Sequence, residues 1–290
     1  MRLGALEAGG TKMVCAIGNA NGEIYERISI PTETPEITVP KMIEYFKEKD
    51  IQALGIGCFG PIDLNRKSET YGYITTTPKL AWKNYNIVGA FADALDIPVG
   101  FDTDVNGSAL GEATWGITKG LDNSIYITIG TGVGMGIISN GKLLHGMLHP
   151  EGGHVLTRHP KDTYGGKCPY HSNCLEGLAA GPAIEARWGK KGIELADKKE
   201  VWELEAYYIG QALVDCIMLL SPQRIVLGGG VMHQEHMMPL VREEVKKQLN
   251  GYLVTKELED LDNYIVLPSL NDNQGIMGAL KLAVDELAMQ

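Results

Sequence analysis

Arg2-Leu-Gly-Ala-Leu-Glu7-Ala-Gly-Gly-Thr-Lys12-Met-Val-Cys-Ala-Ile17 reads as strand, turn, strand. Residues 2–6 and 13–17 are β-prone runs, and Glu7 to Lys12 between them supplies the glycines that a tight connection needs. Asn21-Gly22 then turns the chain into a third run over 23–30. The same plan returns near the middle. Residues 124–129 and 135–139 flank Gly130-Thr-Gly-Val-Gly134, and Asn140-Gly141 turns into 142–144. A Gly/Thr-rich hairpin followed by an Asn-Gly hairpin thus occurs twice, about 120 residues apart, which reads as a duplicated half-molecule with two similar lobes.

Between and after the hairpins, strands alternate with helices. Helices are expected over 36–49, 87–95, 105–116, 181–187, 199–220, 235–249 and 274–287. Strands are expected over 52–57, 99–101, 224–227 and 264–268. Such alternation is an α/β architecture, here with antiparallel hairpins opening each half. No low-complexity linker separates the halves, so continuous structure with a cleft between the lobes is expected. The expected division is an N-terminal lobe over 1–115 and a C-terminal lobe over 116–290, with the last helix, 274–290, packing back on the first lobe.

With 290 residues, 44% hydrophobic and 21% charged, the chain has the composition of a soluble globular protein with ample core. A formal net charge of −10 argues against non-specific nucleic-acid binding and against an anionic membrane surface. No apolar run suits a signal peptide or a membrane span. Of five cysteines, Cys15, Cys58 and Cys216 lie in apolar segments and read as reduced, buried thiols. A cytoplasmic location is expected.

Three glycine turns follow strands: Gly9-Gly10-Thr11-Lys12, Gly130-Thr131-Gly132 and Gly228-Gly229-Gly230. Such turns let backbone N–H groups face an anion without side-chain obstruction. A Walker-type reading of the first fails, because Lys follows Thr and a strand follows where a helix is required. None of the three gives G-x-G-x-x-G opening a helix, so a dinucleotide fingerprint fails as well. A nucleotide held with its phosphates between two hairpin turns remains. Phosphoryl transfer to an alcohol also needs a base, and Asp102-Thr103-Asp104-Val-Asn106 lies where a strand ends and a helix begins. One of these acids is the natural helix N-cap. The other is free for chemistry, and Asp104 is the expected base.

Cys168, His171 and Cys174 recur at three-residue intervals in a loop rich in Gly, Pro, Asn and Ser. Two thiolates and an imidazole suit tetrahedral Zn²⁺, with His154 as the nearest fourth ligand and Asp162 and His159 as weaker ones. A Cys168–Cys174 disulfide, or two ordinary thiols, is the plainer alternative. Glu151 and Glu176 flank the loop and point to a binding site beside it.

Glu7-Ala-Gly-Gly-Thr-Lys12, Gly130-Thr-Gly-Val-Gly134, Glu151-Gly-Gly-His154 and the Cys/His cluster together resemble the ROK sugar kinases. Tyr71-Gly-Tyr-Ile-Thr-Thr-Thr-Pro-Lys79, with Trp82, resembles the bacterial fructokinases among them. The resemblance implies a two-lobed actin/hexokinase-like (ribonuclease H-like, duplicated) fold with a zinc-stapled loop. It implies that Gly9, Gly10, Thr11 and Lys12 form the first phosphate turn and Thr131 and Gly132 the second. Pro182 and Gly230, Val231, Met232, His233 and Gln234 then lie along the nucleotide. Asp104 is the implied base; Thr103, Asp104, Glu151, His154 and Glu176 contact the sugar; and His154, Cys168, His171 and Cys174 hold zinc. The implied ligands are ATP, catalytic Mg²⁺, structural Zn²⁺ and a hexose, with fructose first and mannose, glucose or N-acylated hexosamines as alternatives. A homodimer is implied too. Glu7 and Thr103 stand where most of the family has Asp and Asn. The family also contains sugar-responsive repressors with a helix-turn-helix ahead of the first turn. Only six residues precede Glu7 here, so that reading is not expected. A zinc-stapled sugar-binding module without catalysis leaves Asp104 and the first turn unexplained.

Overall fold

The computed structural model describes residues 1–289. Two five-stranded sheets carry one strand order. In the first, β1 (Leu3–Ala8), β2 (Lys12–Gly18) and β3 (Ile24–Pro31) form an antiparallel meander, and β4 (Leu54–Cys58) and β5 (Val99–Thr103) add in parallel beyond β1. In the second, β6 (Ser124–Ile129), β7 (Val133–Ser139) and β8 (Lys142–Leu143) form the meander, and β9 (Arg224–Gly228) and β10 (Ile265–Val266) add in parallel beyond β6. The duplicated hairpin plan legible in the sequence thus extends to whole sheets.

Contacts divide the chain into two units. One takes Met1–Gly120, Leu143–His149 and the chain from Ser269; the other takes Leu121–Lys142 and Pro150–Pro268. The expected division puts Leu143–His149 in the second lobe. The segment joins the first unit because His149 Nε2 accepts the Ile62 N–H at 3.2 Å and His145 reaches Asp102.

The parallel strands of the first sheet, β1, β4 and β5, are buried on both faces, while β3 at its edge is mostly exposed. Large side chains fill one face, where Met42 and Phe46 of α1 (Pro35–Lys47) and Phe91 of α2 (Ile87–Leu95) meet Leu6, Ile56 and Phe101. The other face is built of Leu3, Ala5, Ala16 and Ala53 against Ile276, Ala279, Leu280 and Ala283 of the last helix, which runs Gln274–Ala288. That helix also packs on α3 (Asp104–Trp115). Backbone approach here is close enough that a β-carbon on Gly55 would stand 1.7 Å from the Ala279 carbonyl oxygen. In the second unit, Lys199–Leu220 is the longest helix and packs along Met237–Leu249. The expected strand 264–268 is shorter, Ile265–Val266, because Tyr264 closes a helical turn capped by Asp260 and buries its ring, its OH donating to the Pro222 carbonyl. Among the described residues no helix is long and apolar enough to cross a membrane.

Candidate active site and metal centre

In the first unit β1, β4 and β5 end side by side: Glu7 pairs with Gly57, and Gly57 with Asp102. Their carboxyl ends bring Glu7, Asp102 and Asp104 into one neighbourhood, where ligands of α/β sheets collect. Thr103 is the cap of α3, its Oγ1 accepting the Asn106 N–H at 3.1 Å. The capping explanation therefore passes from the acids to Thr103. Thr103 is 3% exposed, and its hydroxyl, accepting this bond, keeps a proton to donate. Asp104 Oδ1 accepts the Val105 N–H at 2.8 Å, and burial raises its carboxyl above the ordinary value.

Asp102 is buried and fully partnered. Its Oδ1 accepts from the Thr103 N–H at 2.8 Å and from Asn106 Nδ2 at 2.7 Å, and its Oδ2 lies 2.8 Å from His145 Nε2. The hydrogen bond to Asp102 raises His145 above its usual range. Sequence reasoning did not find His145. It sits on a hairpin arm at no fixed spacing from Asp102; only the i, i+4 pair Asp102 and Asn106 is visible in the chain.

The first glycine turn is closed by the Gly9 N–H donating to the Lys12 carbonyl at 3.1 Å. Thr32 clamps it from just past β3, its N–H donating to the Thr11 carbonyl at 3.0 Å and its Oγ1 to the Gly9 carbonyl at 2.8 Å. Burial, with the Asp104 charge nearby, pushes Glu7 up to about 7 against the opposing pull of Lys12 and Arg27.

In the second unit Gly130-Thr131-Gly132 closes by the Gly130 N–H donating to the Gly132 carbonyl at 2.9 Å. The Gly181 N–H donates to the Gly130 carbonyl at 2.8 Å, which sets Gly181-Pro182, the start of helix Gly181–Trp188, against this turn. Gly229 has φ +89°, and a β-carbon there would lie 2.4 Å from the Ile129 carbonyl oxygen, so the third glycine turn packs on the second. Thr131, Gly132, Pro182 and Gly230 are thereby gathered. Val231 and Met232 bury their side chains within the short turn Gly230–His233, and Gln234 follows it.

His154, Cys168, His171 and Cys174 converge, their ligand atoms all within 4.8 Å of one another. Cys174 Sγ lies 3.5 Å from His154 Nδ1, and Cys168 Sγ lies 3.9 Å from His154 Nδ1 and 3.7 Å from His171 Nδ1. Ligand pairs around tetrahedral zinc are separated by about 3.3–3.8 Å, and the separations of 3.5 to 3.9 Å lie close to that range. All five cysteines are free, which rules out the disulfide reading. Neither Asp162 nor His159 joins the cluster; Asp162 pairs with Arg187 at 2.6 Å. Cys174 caps the helix Leu175–Ala179 and accepts the Gly177 N–H at 3.3 Å. From that helix Glu176 Oε2 accepts the Val133 N–H at 3.0 Å, so the cluster is tied to the second glycine turn. Glu151 is exposed and opens the turn Gly152–His154, its carbonyl accepting the His154 N–H at 3.0 Å.

Comparison with known proteins places the site in context. The ROK family matches residues 3–286. The fructokinase of Pediococcus pentosaceus is 48% identical over 284 residues, which cover 98% of each chain. The fructokinase of Streptococcus mutans is 47% identical, over 97% of this chain and 96% of its own. The ROK hexokinase of Thermus thermophilus has the same fold, with a TM-score of 0.80 at 24% identity over the whole of both chains.

Proposed function

Because the chain belongs to the ROK family, we propose that it is an ATP-dependent fructokinase, moving the γ-phosphoryl group of ATP to the 6-hydroxyl of D-fructose. The observation that carries this is its 47–48% identity to two fructokinases over nearly their full length.

In this reading Asp104 accepts the proton of the 6-hydroxyl as that oxygen attacks phosphorus in line. A carboxyl raised by burial is a better-matched base near neutral pH, and the Val105 N–H steadies its ionised form. Backbone N–H groups of Gly9 to Lys12 and of Thr131 to Gly134 position the phosphates, while Pro182 and Gly230 to Gln234 lie along the nucleotide. Most of the protein's contribution is orientation and charge stabilisation. Asp104 raises the cost of ionising Glu7, the two carboxylates are a donor set suited to a divalent cation, and Glu7 would hold Mg²⁺ or its water. Bound with ATP, Mg²⁺ neutralises charge on the phosphates. Glu151, His154 and Glu176 take the sugar hydroxyls. His154, Cys168, His171 and Cys174 would hold Zn²⁺, which with four protein ligands has no open position and serves the structure. A homodimer belongs to the same reading, with light scattering as its check.

The experiment is ADP release from MgATP by purified, zinc-replete protein with fructose, mannose, glucose and N-acetylated hexoses in turn. Preference for fructose supports the proposal. Preference for another hexose keeps the chemistry and removes the substrate, and no turnover with any sugar removes the kinase.

A further inference from the structure

Lys79 has no part in any role described above, yet it stands at the first glycine turn. A β-carbon on Gly10 would lie 2.9 Å from Lys79 Cε and 3.7 Å from its Nζ. Among the described residues no ion pair engages this ammonium. The backbone that carries it is fixed. Thr75 donates to the Pro61 carbonyl through N–H at 2.8 Å and through Oγ1 at 3.0 Å, and the Lys79 N–H donates to Thr77 Oγ1 at 3.3 Å. The Lys79 carbonyl accepts the Trp82 N–H at 2.8 Å.

Trp82 is buried, edge-on to Phe59 and Tyr85, and its Nε1–H donates to the Glu33 carbonyl at 2.7 Å. The neighbouring residue, Thr32, is the one that clamps the glycine turn. One short stretch of chain, Thr32-Glu33, therefore holds both the turn and the segment bearing Lys79. A half-buried lysine whose Nζ lies beside a glycine turn, with no counter-ion among the described residues, is complementary to an anion.

We propose that Lys79 is a catalytic residue whose ammonium binds the phosphoryl group in transit over Gly9-Gly10. The proposal rests on the kinase reading. In the step it serves, the bond from the sugar oxygen to phosphorus forms and the bond from phosphorus to the ADP oxygen breaks. The hydroxyl proton goes to Asp104, and Lys79 keeps its own proton throughout. Its charge matters most where the transferred group is bound by neither oxygen fully.

Full-length Lys79→Met, Lys79→Arg and Lys79→Ala test this. Calorimetry without sugar compares affinity for Mg·AMPPNP and MgADP, so its outcome does not depend on which hexose is used. Lys79→Met should weaken AMPPNP by about 10-fold and change ADP by less than about twofold. In turnover kcat should fall by about 10²–10³-fold with the sugar KM nearly constant. Lys79→Arg should retain much of the rate, and ethylammonium should restore activity to Lys79→Ala, which a purely structural lysine would not allow. Equal losses for AMPPNP and ADP, or a Lys79→Met rate within about threefold of wild type, would overturn the proposal. If the wild type turns over no hexose while AMPPNP is still selectively weakened, the sugar reading fails and the phosphate role of Lys79 stands.

Discussion

The Glu7 carboxylate occupies space that Gly275 leaves open. A β-carbon on Gly275 would stand 2.7 Å from Glu7 Cδ and 2.9 Å from either carboxylate oxygen. A carboxylate against the first turn of the last helix also meets the positive end of the helix dipole. Length at position 7 and absence of a side chain at 275 are therefore one choice made twice. Gly275→Ala should destabilise the protein by about 1–3 kcal/mol through overpacking. Glu7→Asp, one methylene shorter, should recover most of that loss in the double variant. Urea unfolding of the four proteins of this cycle measures the coupling, and additive effects would sink it.

Glu7 also gives stability a definite pH dependence. Its carboxyl is raised from 4.5 to about 7, so between those values the folded protein holds a proton that the unfolded chain has released. Stability from this group is fully present below 4.5 and is lost as pH rises through about 7. Glu7→Gln removes the titration. Without nucleotide or Mg²⁺, its melting temperature should match wild type near the lower value and exceed it at pH 8, by the equivalent of about 1–3 kcal/mol. A constant offset across that range would show that Glu7 ionises normally.

The halves of this fold were legible because a glycine-rich hairpin must be local: Gly9-Gly10 and Gly130-Thr-Gly132 are contiguous, and so is the spacing of Cys168, His171 and Cys174. Asp104 was legible for the same reason, since the end of a strand and the start of a helix adjoin in sequence. What escaped were contacts made across the sheet or between distant segments. His145 meets Asp102 only because Leu143–His149 crosses into the first unit. The burial of Val231 and Met232 depends on how the third glycine turn packs, and the cap on α3 went to Thr103, where two flanking acids had equal sequence claims. Local chemistry names the candidates, and tertiary packing selects among them.

Asp104→Asn separates binding from chemistry. The substitution keeps shape and the acceptor for the Val105 N–H, and removes the basic oxygen proposed to receive the hydroxyl proton. Turnover should fall by about 10²–10⁴-fold, while MgADP affinity measured by calorimetry stays within about twofold of wild type. Turnover that survives would place the base elsewhere, with Asp102 a poor substitute because both its oxygens are engaged.

The Cys/His cluster should reach the second glycine turn through Cys174 and Glu176. Cys174 caps the helix Leu175–Ala179, Glu176 projects from its first turn, and Glu176 Oε2 holds the Val133 N–H at 3.0 Å. A β-carbon on Gly132 would lie 2.7 Å from that same oxygen, so the turn and the carboxylate fit closely. Elemental analysis of purified protein should find about one zinc per chain. Cys174→Ser should lose the zinc, lower the melting temperature and depress kcat/KM for sugar and ATP together, since the cap and the position of Glu176 go with the ion. Glu176→Gln should instead retain zinc and melting temperature while losing kcat/KM, because its amide preserves the bulk but weakens the link to Val133. Zinc retained at full stoichiometry in Cys174→Ser would refute this ligand set, and full activity in zinc-free protein would detach the cluster from the turn.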